Sequence, residues 1–240
     1  MFGSNAAIFE GNPYENHTEQ RHQLGAKLFA ANGDIFRYAK TTADVSAGYL
    51  LVGLSREDNH QNRTIAVASA VGDNKIVFDA GATAVDANEY DEGWLIFNDN
   101  SPEGEFYMIT SHEANAGSLE TDVFIKPALK TATVVDSTEV TLVRNVWNGP
   151  VVSQLIAQPA AGVTVQDWDV SVAEYGWLKT RGMAACLADN TVTVGYAVAI
   201  SNATDGAFGA TAGDQTEVVL GQIMDAGVAG EFQPINLLID

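Results

Sequence analysis

The sequence predicts an all-β protein: a sandwich or jelly-roll-like body, a compact C-terminal β-barrel-like module and an extended N-terminal arm. Three observations lead to this prediction. Segments of four to eight residues rich in β-branched and aromatic side chains recur along the chain, Gly, Asp, Asn or Pro bounds each of them, and no long amphipathic helical period is present. Short strands at such a spacing are typical of sandwiches and barrels.

Residues 1–40 are predicted to form the arm, which carries one short hairpin. Residues 1–22 are polar and have neither a helical nor a strand period, so we expect them to be ordered only where something holds them. Further along, ANGD at 31–34 separates two short apolar pieces. Asn-Gly between apolar pieces is typical of a β-hairpin turn.

Residues 41–150 are predicted to form the body. Strand-like segments follow one another here, and polar stretches such as REDNHQN connect them. The segments are AGYLLVGLS, RTIAVASAV, NKIVFDAG, GWLIFND, GEFYMITSH, DVFIKPAL and TEVTLVRN.

Residues 151–240 are predicted to form the C-terminal β module, with a soft boundary of small residues at 148–162. Its strand-like segments are GPVVSQLIA, YGWLKTRGMAACLADN, TVTVGYAVAIS, TEVVLGQIMDAG and INLLID. Four glycines lie beside or within them, where glycine commonly allows a sheet to curl. They are Gly176, Gly182, Gly195 and Gly221.

The chain is strongly acidic, with 31 Asp and Glu against 12 Lys and Arg and a net charge of −19. Because phosphate groups and anionic lipids both attract Lys and Arg, we expect neither nucleic acid nor a membrane as partner. The N-terminal sequence lacks the positive start and apolar stretch of a signal peptide, and no apolar run approaches the ~20 residues that cross a bilayer. These features predict a soluble protein made in a cytoplasm.

The charge is unevenly distributed along the chain. Residues 1–63 contain six bases and seven acids and are nearly neutral, whereas no base and seven acids follow Arg181. This split predicts that the two parts face different neighbours.

The sequence carries no motif of a known catalytic class: no nucleophile elbow, zinc-protease helix, phosphate-binding loop or dinucleotide-binding glycine pattern. His17 and His22 have no third ligand motif, and the oxygen-rich segments 86–93 and 98–105 lack the order of ligands of a calcium loop. We therefore predict no enzyme, no cofactor and no metal site.

Other reactive side chains have plainer interpretations. Cys186 lies in the apolar run MAACLA and is expected to be a small buried hydrophobe. His60 and His112 are expected at the surface. The numerous carboxylates leave a glycosidase pair open, although the four Trp are expected to fill cores and interfaces rather than to bind sugars.

Several blocks resemble a family of tailed-phage virion proteins. LGAKLFAANGDIFRYAK followed by AGYLLV is similar to the family's opening, and DEGWLIFNDNSPEGEFYMITSH is similar to its middle block. EYGWLKTRGMAACLADNTVTVGYAVAIS and VVLGQIMDAGVAGEFQPINLLID resemble its last strands. Together the blocks cover most of residues 23–240, and their order along the chain is the specific part.

The resemblance implies a capsid decoration, or cement, protein, made in the host cytoplasm. Such a protein binds the outer surface of the head, where the major capsid protein of the same virus is its partner, and the resemblance implies a homotrimer. A tail-associated or receptor-binding β-rich virion protein is the alternative, although no trimerisation repeat is visible. A capsid shell protein, a further alternative, would need a long spine helix, which the sequence does not offer. A cellular β-sandwich binding module, the last alternative, would be expected to act without an oligomer.

Residues 24–40 are the predicted docking segment, because aromatic and basic side chains alternate there. The predicted capsid-binding residues are Phe29, Phe36, Arg37, Tyr38 and Lys40. The aromatic rings would supply affinity by burial, and the bases would donate charge-assisted hydrogen bonds. The alternative is that this segment is simply the first hairpin of the core.

The predicted contact surface between copies lies around the module boundary. It consists of Trp147, Val151 and Leu155, because aromatic and aliphatic side chains are enriched in the cores of interfaces.

Overall fold

The protein is described by a computed structural model, which covers residues 11–117, 119–154, 158–171, 174–211 and 218–240. The predicted all-β class is confirmed: within these ranges the regular structure is sixteen strands and one 3₁₀ turn, η1 (Asp58–His60), with no α-helix. No helix long and apolar enough to span a membrane occurs in the described part of the chain.

The strands are numbered in chain order. They are β1 (Lys27–Phe29), β2 (Ile35–Lys40), β3 (Leu50–Val52), β4 (Arg63–Val67), β5 (Lys75–Asp79), β6 (Trp94–Asp99), β7 (Phe106–His112), β8 (Glu120–Lys126), β9 (Glu139–Val143), β10 (Val151–Val152), β11 (Ala160–Thr164), β12 (Tyr175–Leu187), β13 (Ala197–Ile200), β14 (Phe208–Ala210), β15 (Gly221–Ile223) and β16 (Phe232–Leu238).

The chain divides into two compact units. Unit 1 contains the residues up to Leu54 and those from Gly149 onward, and unit 2 contains Ser55–Asn148. Unit 2 is therefore an insertion in the sequence of unit 1. This division differs from the predicted one, in which residues 1–40, 41–150 and 151–240 were three consecutive parts.

Unit 2 is a closed six-stranded antiparallel barrel in the order β4-β5-β8-β7-β6-β9. Alternate residues of its strands point inward, as the period of two in β8 (exposed, buried, half-buried, buried) illustrates. The inward side chains form one continuous core, which includes Phe78, Phe97, Val123 and Leu142. Closure leaves the barrel sheet without an open edge.

Unit 1 is built on one ten-stranded sheet, in which β10-β3-β11-β12-β16-β15-β13-β14 form the main path. The long strand β12 is its centre. The first half of β12 pairs with β2, from Tyr175 opposite Lys40 to Arg181 opposite Ile35, and its second half pairs with β16. A core of aliphatic side chains with Phe208 and Cys186 lies on one side of this sheet.

The predicted hairpin at ANGD is confirmed. β1 and β2 pair antiparallel with Leu28 opposite Phe36, and Gly33 takes the left-handed conformation that the turn requires, with φ of +90°. The arm assigned to residues 1–40 needs correction wherever the structure describes it, since His17 already forms a bridge with Tyr175 and Leu24 is buried. Because β2 is hydrogen-bonded to β12, residues 27–40 contribute two strands to the main sheet of unit 1. Residues 1–10 lie outside the described part of the chain.

The remaining differences concern short strands of small residues. The boundary stretch at 148–162 contains β11, which joins β3 to β12, and the short β14 follows β13. Neither AAGVT nor FGA has the β-branched and aromatic richness on which the strand prediction depended.

Candidate functional site

The aromatic residues of the predicted docking segment lie mostly in the core of unit 1. Phe36 is 2% exposed and Tyr38 is fully buried, so their assignment to a capsid contact is corrected. The Tyr38 ring makes an edge contact with the Trp177 ring, 5.0 Å away between centroids, and its hydroxyl accepts a hydrogen bond from the Arg21 backbone N–H. Only Phe29 of the three predicted aromatic residues is exposed, at 43%.

Arg37 is held inside unit 1 by the carboxylate of Asp240. Its Nε and Nη2 donate to the two carboxylate oxygens at 2.8 and 2.6 Å, and Lys27 lies 3.2 Å from the same group. The Thr180 hydroxyl donates at 2.7 Å. Burial raises the pKa of Asp240, but the hydrogen bonds from Arg37 and Thr180 and the neighbouring positive charges outweigh it and hold that pKa well below its usual range.

Lys40 also has a partner within unit 1. Its ammonium group lies 3.8 Å from the Glu174 carboxylate and 5.6 Å from the centre of the Tyr175 ring. The bases of the 24–40 segment are therefore neutralised by acids of the same unit.

The predicted contact residues between copies have separate places. Trp147 is half-buried in unit 2, where its backbone N–H donates to the Asn145 side chain at 2.9 Å. Val151 lies on the edge strand β10 and packs against the core of unit 1. Leu155 lies outside the described residues.

Two histidines expected at the surface are buried in unit 2. His60 is fully buried, with Nδ1 2.6 Å from the Tyr90 hydroxyl and Nε2 3.2 Å from the Thr83 carbonyl oxygen. Because a carbonyl only accepts, Nε2 carries a hydrogen and donates it to the Thr83 carbonyl oxygen. The side chain of His112 is buried too, and its Nε2 accepts from the Tyr90 N–H at 3.0 Å.

These histidines belong to a buried polar network that ties loops to one another. Glu89 pairs with the Arg144 guanidinium, with Arg144 Nε 3.1 Å away, and accepts from the Asp86 N–H at 2.9 Å. Burial and the nearby Glu89 charge raise the pKa of Tyr90 well above its usual range. Both ring nitrogens of His60 thus have partners within unit 2, and its ring is closed to solvent.

Cys186 is fully buried in the core of unit 1, as predicted, and burial raises the pKa of its thiol to about 12. In the described part of the chain, no group of three or more His, Cys, Asp or Glu side chains is arranged to hold a metal ion.

One side of the unit 2 barrel exposes apolar side chains on neighbouring strands. Trp94 lies opposite Val143 on β9 and Met108 on β7, and Ile96 lies opposite Phe106. Directly opposite residues of antiparallel strands share a face, so these five side chains form one outer patch, named here the Trp94 face. Trp94 is 42% and Phe106 63% exposed, and their rings touch edge to face at 5.5 Å.

Unit 1 has a different exposed face, which bears no carboxylate. Along β12, β16 and β15, Met183 lies opposite Asn236, Ala185 opposite Pro234, and Asn236 opposite Gln222. Phe232 and Leu238, at the ends of β16, complete this set of outward residues, which is named here the neutral face. The exposed Arg181 lies opposite Leu238 at its edge. A cleft of about 460 Å³ opens beside it, lined in part by Tyr14, Met183 and Phe232.

Comparisons with known proteins gave no relatives. No family model, curated protein or solved structure matches this chain. The functional assignment therefore depends on the chain's own surfaces, namely the Trp94 face and the neutral face, and on the sequence resemblance.

The sequence pattern held a signal for the Trp94 face, which the strand assignment alone did not use. In GWLIFND and GEFYMITSH both alternating sets of positions are apolar, whereas a barrel strand with one solvated face should alternate apolar and polar. Trp94, Ile96, Phe106 and Met108 are the extra apolar residues. Identifying the patch still required the register that places β6 beside β7 and β9.

Proposed function

We propose that this chain is a non-enzymatic structural protein of a virus particle, a decoration or cement protein on the outer surface of a tailed-phage head. It would be made in the host cytoplasm, bind the major capsid protein of the same virus, and associate with copies of itself as a homotrimer. Bound across neighbouring shell subunits, it would stabilise the head.

The resemblance supports this proposal through residues that build the fold. FRYAK and YGW, pieces of two of the resembling blocks, pair with each other in unit 1, with Tyr38 opposite Trp177. Both side chains are buried in the core. Some of the residues that carry the resemblance thus join β2 to β12.

The Trp94 face is the single observation that carries the binding function. Large exposed aromatic residues on adjacent strands are typical of protein-binding surfaces, in which Trp, Tyr and Phe supply much of the affinity. Full burial of each large apolar side chain stabilises a complex by about 1.5–3 kcal/mol. We assign this face, and no longer residues 24–40, to the contact with the shell.

The proposal is tested by adding the purified chain to DNA-free heads of the phage that encodes it, and measuring co-sedimentation. We expect saturable binding of the unaltered chain. In the double variant Trp94→Ala with Phe106→Ala, the loss of two aromatic contacts should weaken binding by at least about tenfold. Both side chains are exposed, so the unit 2 barrel should remain folded.

Phe29→Ala is the matched control, because it removes the same ring from the originally predicted docking segment of unit 1. We expect this variant to bind as the unaltered chain does. Failure of the unaltered chain to bind heads would overturn the decoration role, and undiminished binding by the double variant would overturn the assignment of the face.

A tail-associated or receptor-binding role is the second candidate, and the exposed aromatic pair favours it in one respect. The rings of Trp94 and Phe106 meet at 64° and leave apolar surface open, onto which the C–H face of a sugar ring could pack. Binding of the chain to host surface glycans, lost in the same double variant and without binding to heads, would support this role instead.

A further inference from the structure

We propose that the neutral face of unit 1 is the surface at which copies of this chain contact one another. Only the expected number of copies, three, rests on the proposed function. The contact itself is inferred from the charge, polarity and exposure of the face.

The distribution of charge is the first reason. None of the residues in β13, β14, β15 and β16, or in β12 after Arg181, is charged. The described acids of this part of the chain, which lie outside those strands, are Asp189, Asp205, Asp225, Glu231 and Asp240. A surface without carboxylates lets two chains of charge −19 meet without burying like charges against each other.

The polar groups on the face are the second reason. Asn236 and Gln222 lie opposite each other on β16 and β15, and the Gln222 amide also donates to the Gly195 carbonyl oxygen at 3.0 Å. A side-chain amide carries both a donor and an acceptor, so the same residue can pair with its equivalent in another copy. Such self-complementarity is what a symmetric contact between identical chains requires.

The apolar side chains on the face are the third reason. Met183, Phe232 and Leu238 are each about half exposed, at 49%, 49% and 51%. They lie on the same outward side of the sheet as the two amides, so that a covering copy would remove apolar surface from water. These strands offer no carboxylate with which a basic partner could pair. This favours a second copy of the chain over a basic protein as the occupant of the face.

The Trp94 face of unit 2 is less suited to contact between copies. Charged residues lie on the outer positions of the adjoining strands, among them Glu139, Asp122 and Lys126. A second copy seated there would have to cover charged groups of both signs, which are costly to bury. The two faces therefore suit different partners.

The test uses an isosteric substitution at the centre of the neutral face. In Asn236→Asp the amide becomes a carboxylate of the same shape, so each contact between copies would bury new negative charges. We expect the unaltered chain to sediment as an oligomer, and the dissociation constant of Asn236→Asp to rise at least about tenfold. Added salt should strengthen association of the unaltered chain, because it screens the repulsion between acidic copies.

Asn202→Asp is the matched control. It makes the same change at an exposed turn residue of unit 1, outside the neutral face, and should leave the mass of the oligomer unchanged. Circular dichroism of both variants checks that they fold.

A chain that is monomeric at all concentrations and salt levels, or an Asn236→Asp variant as oligomeric as the control, would overturn the inference. An oligomer that does not bind heads would contradict the decoration role and leave the inference standing. A monomer that binds heads would overturn the inference and leave the decoration role standing.

Discussion

The acid–base cluster around Asp240 explains, at the scale of single residues, why an acidic chain has a near-neutral N-terminal part. Arg37 and Lys27 converge on one carboxylate whose side chain is only 12% exposed. A partly buried carboxylate needs such partners, because it leaves water on folding. Arg37 and Lys27 therefore stabilise unit 1 through this carboxylate.

We expect Asp240→Asn to destabilise unit 1 at pH 7 by roughly 2–3 kcal/mol, since charge-assisted hydrogen bonds from Arg37 and Thr180 weaken. Because the folded-state pKa of Asp240 is lowered, its contribution is full above its unfolded pKa of about 3.9 and is lost as the pH falls below that value. The stability difference between variant and unaltered chain should therefore shrink in acid. Urea denaturation at a series of pH values measures it.

Asp225→Asn is the control for this prediction, because Asp225 is exposed and lies outside the cluster. It should change the stability by no more than about 0.5 kcal/mol. A stability difference between Asp240→Asn and the unaltered chain that is constant from neutral to acid pH would contradict the assigned role of the carboxylate.

Strand β12 is the element that organises unit 1. It pairs with β2 up to Arg181 and with β16 from Arg181 onward, and a register shift lies between Lys179 and Arg181. Gly182 stands at this change of partner with φ of +94°, and a Cβ there would collide with the Asp34 carboxylate. That carboxylate accepts a hydrogen bond from the nearly buried Lys179 at 2.5 Å. Both the left-handed backbone at residue 182 and the ion pair of Asp34 with Lys179 therefore require a glycine, which has no Cβ, at this position.

We expect Gly182→Ala to destabilise unit 1 strongly, by about 3 kcal/mol or more, because left-handed strain of roughly 1–2 kcal/mol adds to displacement of Asp34 from Lys179. Gly33→Ala is the matched control: its φ is similar, +90°, but nothing lies within 4 Å of the added Cβ. It should show the strain alone. Thermal denaturation by calorimetry compares them, and equal effects of the two substitutions would contradict the collision.

At the scale of the whole molecule, unit 2 interrupts unit 1 between Leu54 and Gly149. A Cβ built on Gly149 would lie 3.6 Å from Cδ1 of Leu54, so the two points of insertion meet within unit 1. Unit 2 has a closed sheet and a core of its own. Insertion of a complete domain at such a point leaves the host core intact.

We expect each unit to fold without the other. A chain in which a short Gly-Ser linker replaces residues 55–148 should keep Trp168 and Trp177 buried, since both lie in the core of unit 1. Their blue-shifted fluorescence and a cooperative thermal transition are the measurements. Residues 55–148 alone should likewise give a cooperative transition, and a non-cooperative, exposed state of either piece would contradict the division.

The sequence by itself determined the all-β class, the hairpin at ANGD and the burial of Cys186, because each depends on neighbouring residues. Alternation and turn chemistry are local properties, read over a few positions. The docking role predicted for Phe36 and Tyr38 was wrong because it depends on distant residues, which a local pattern does not show. Aromatic residues in a strand look the same whether a partner or the chain's own core covers them.

Only the tertiary structure decided which distant segments meet. β2 pairs with β12 across more than a hundred positions, Arg37 finds Asp240, and residues 55–148 separate two halves of one unit. No local preference encodes such pairings, since burial of the complete set of apolar faces selects them together. The Trp94 face and the neutral face likewise exist only once register has placed their strands side by side.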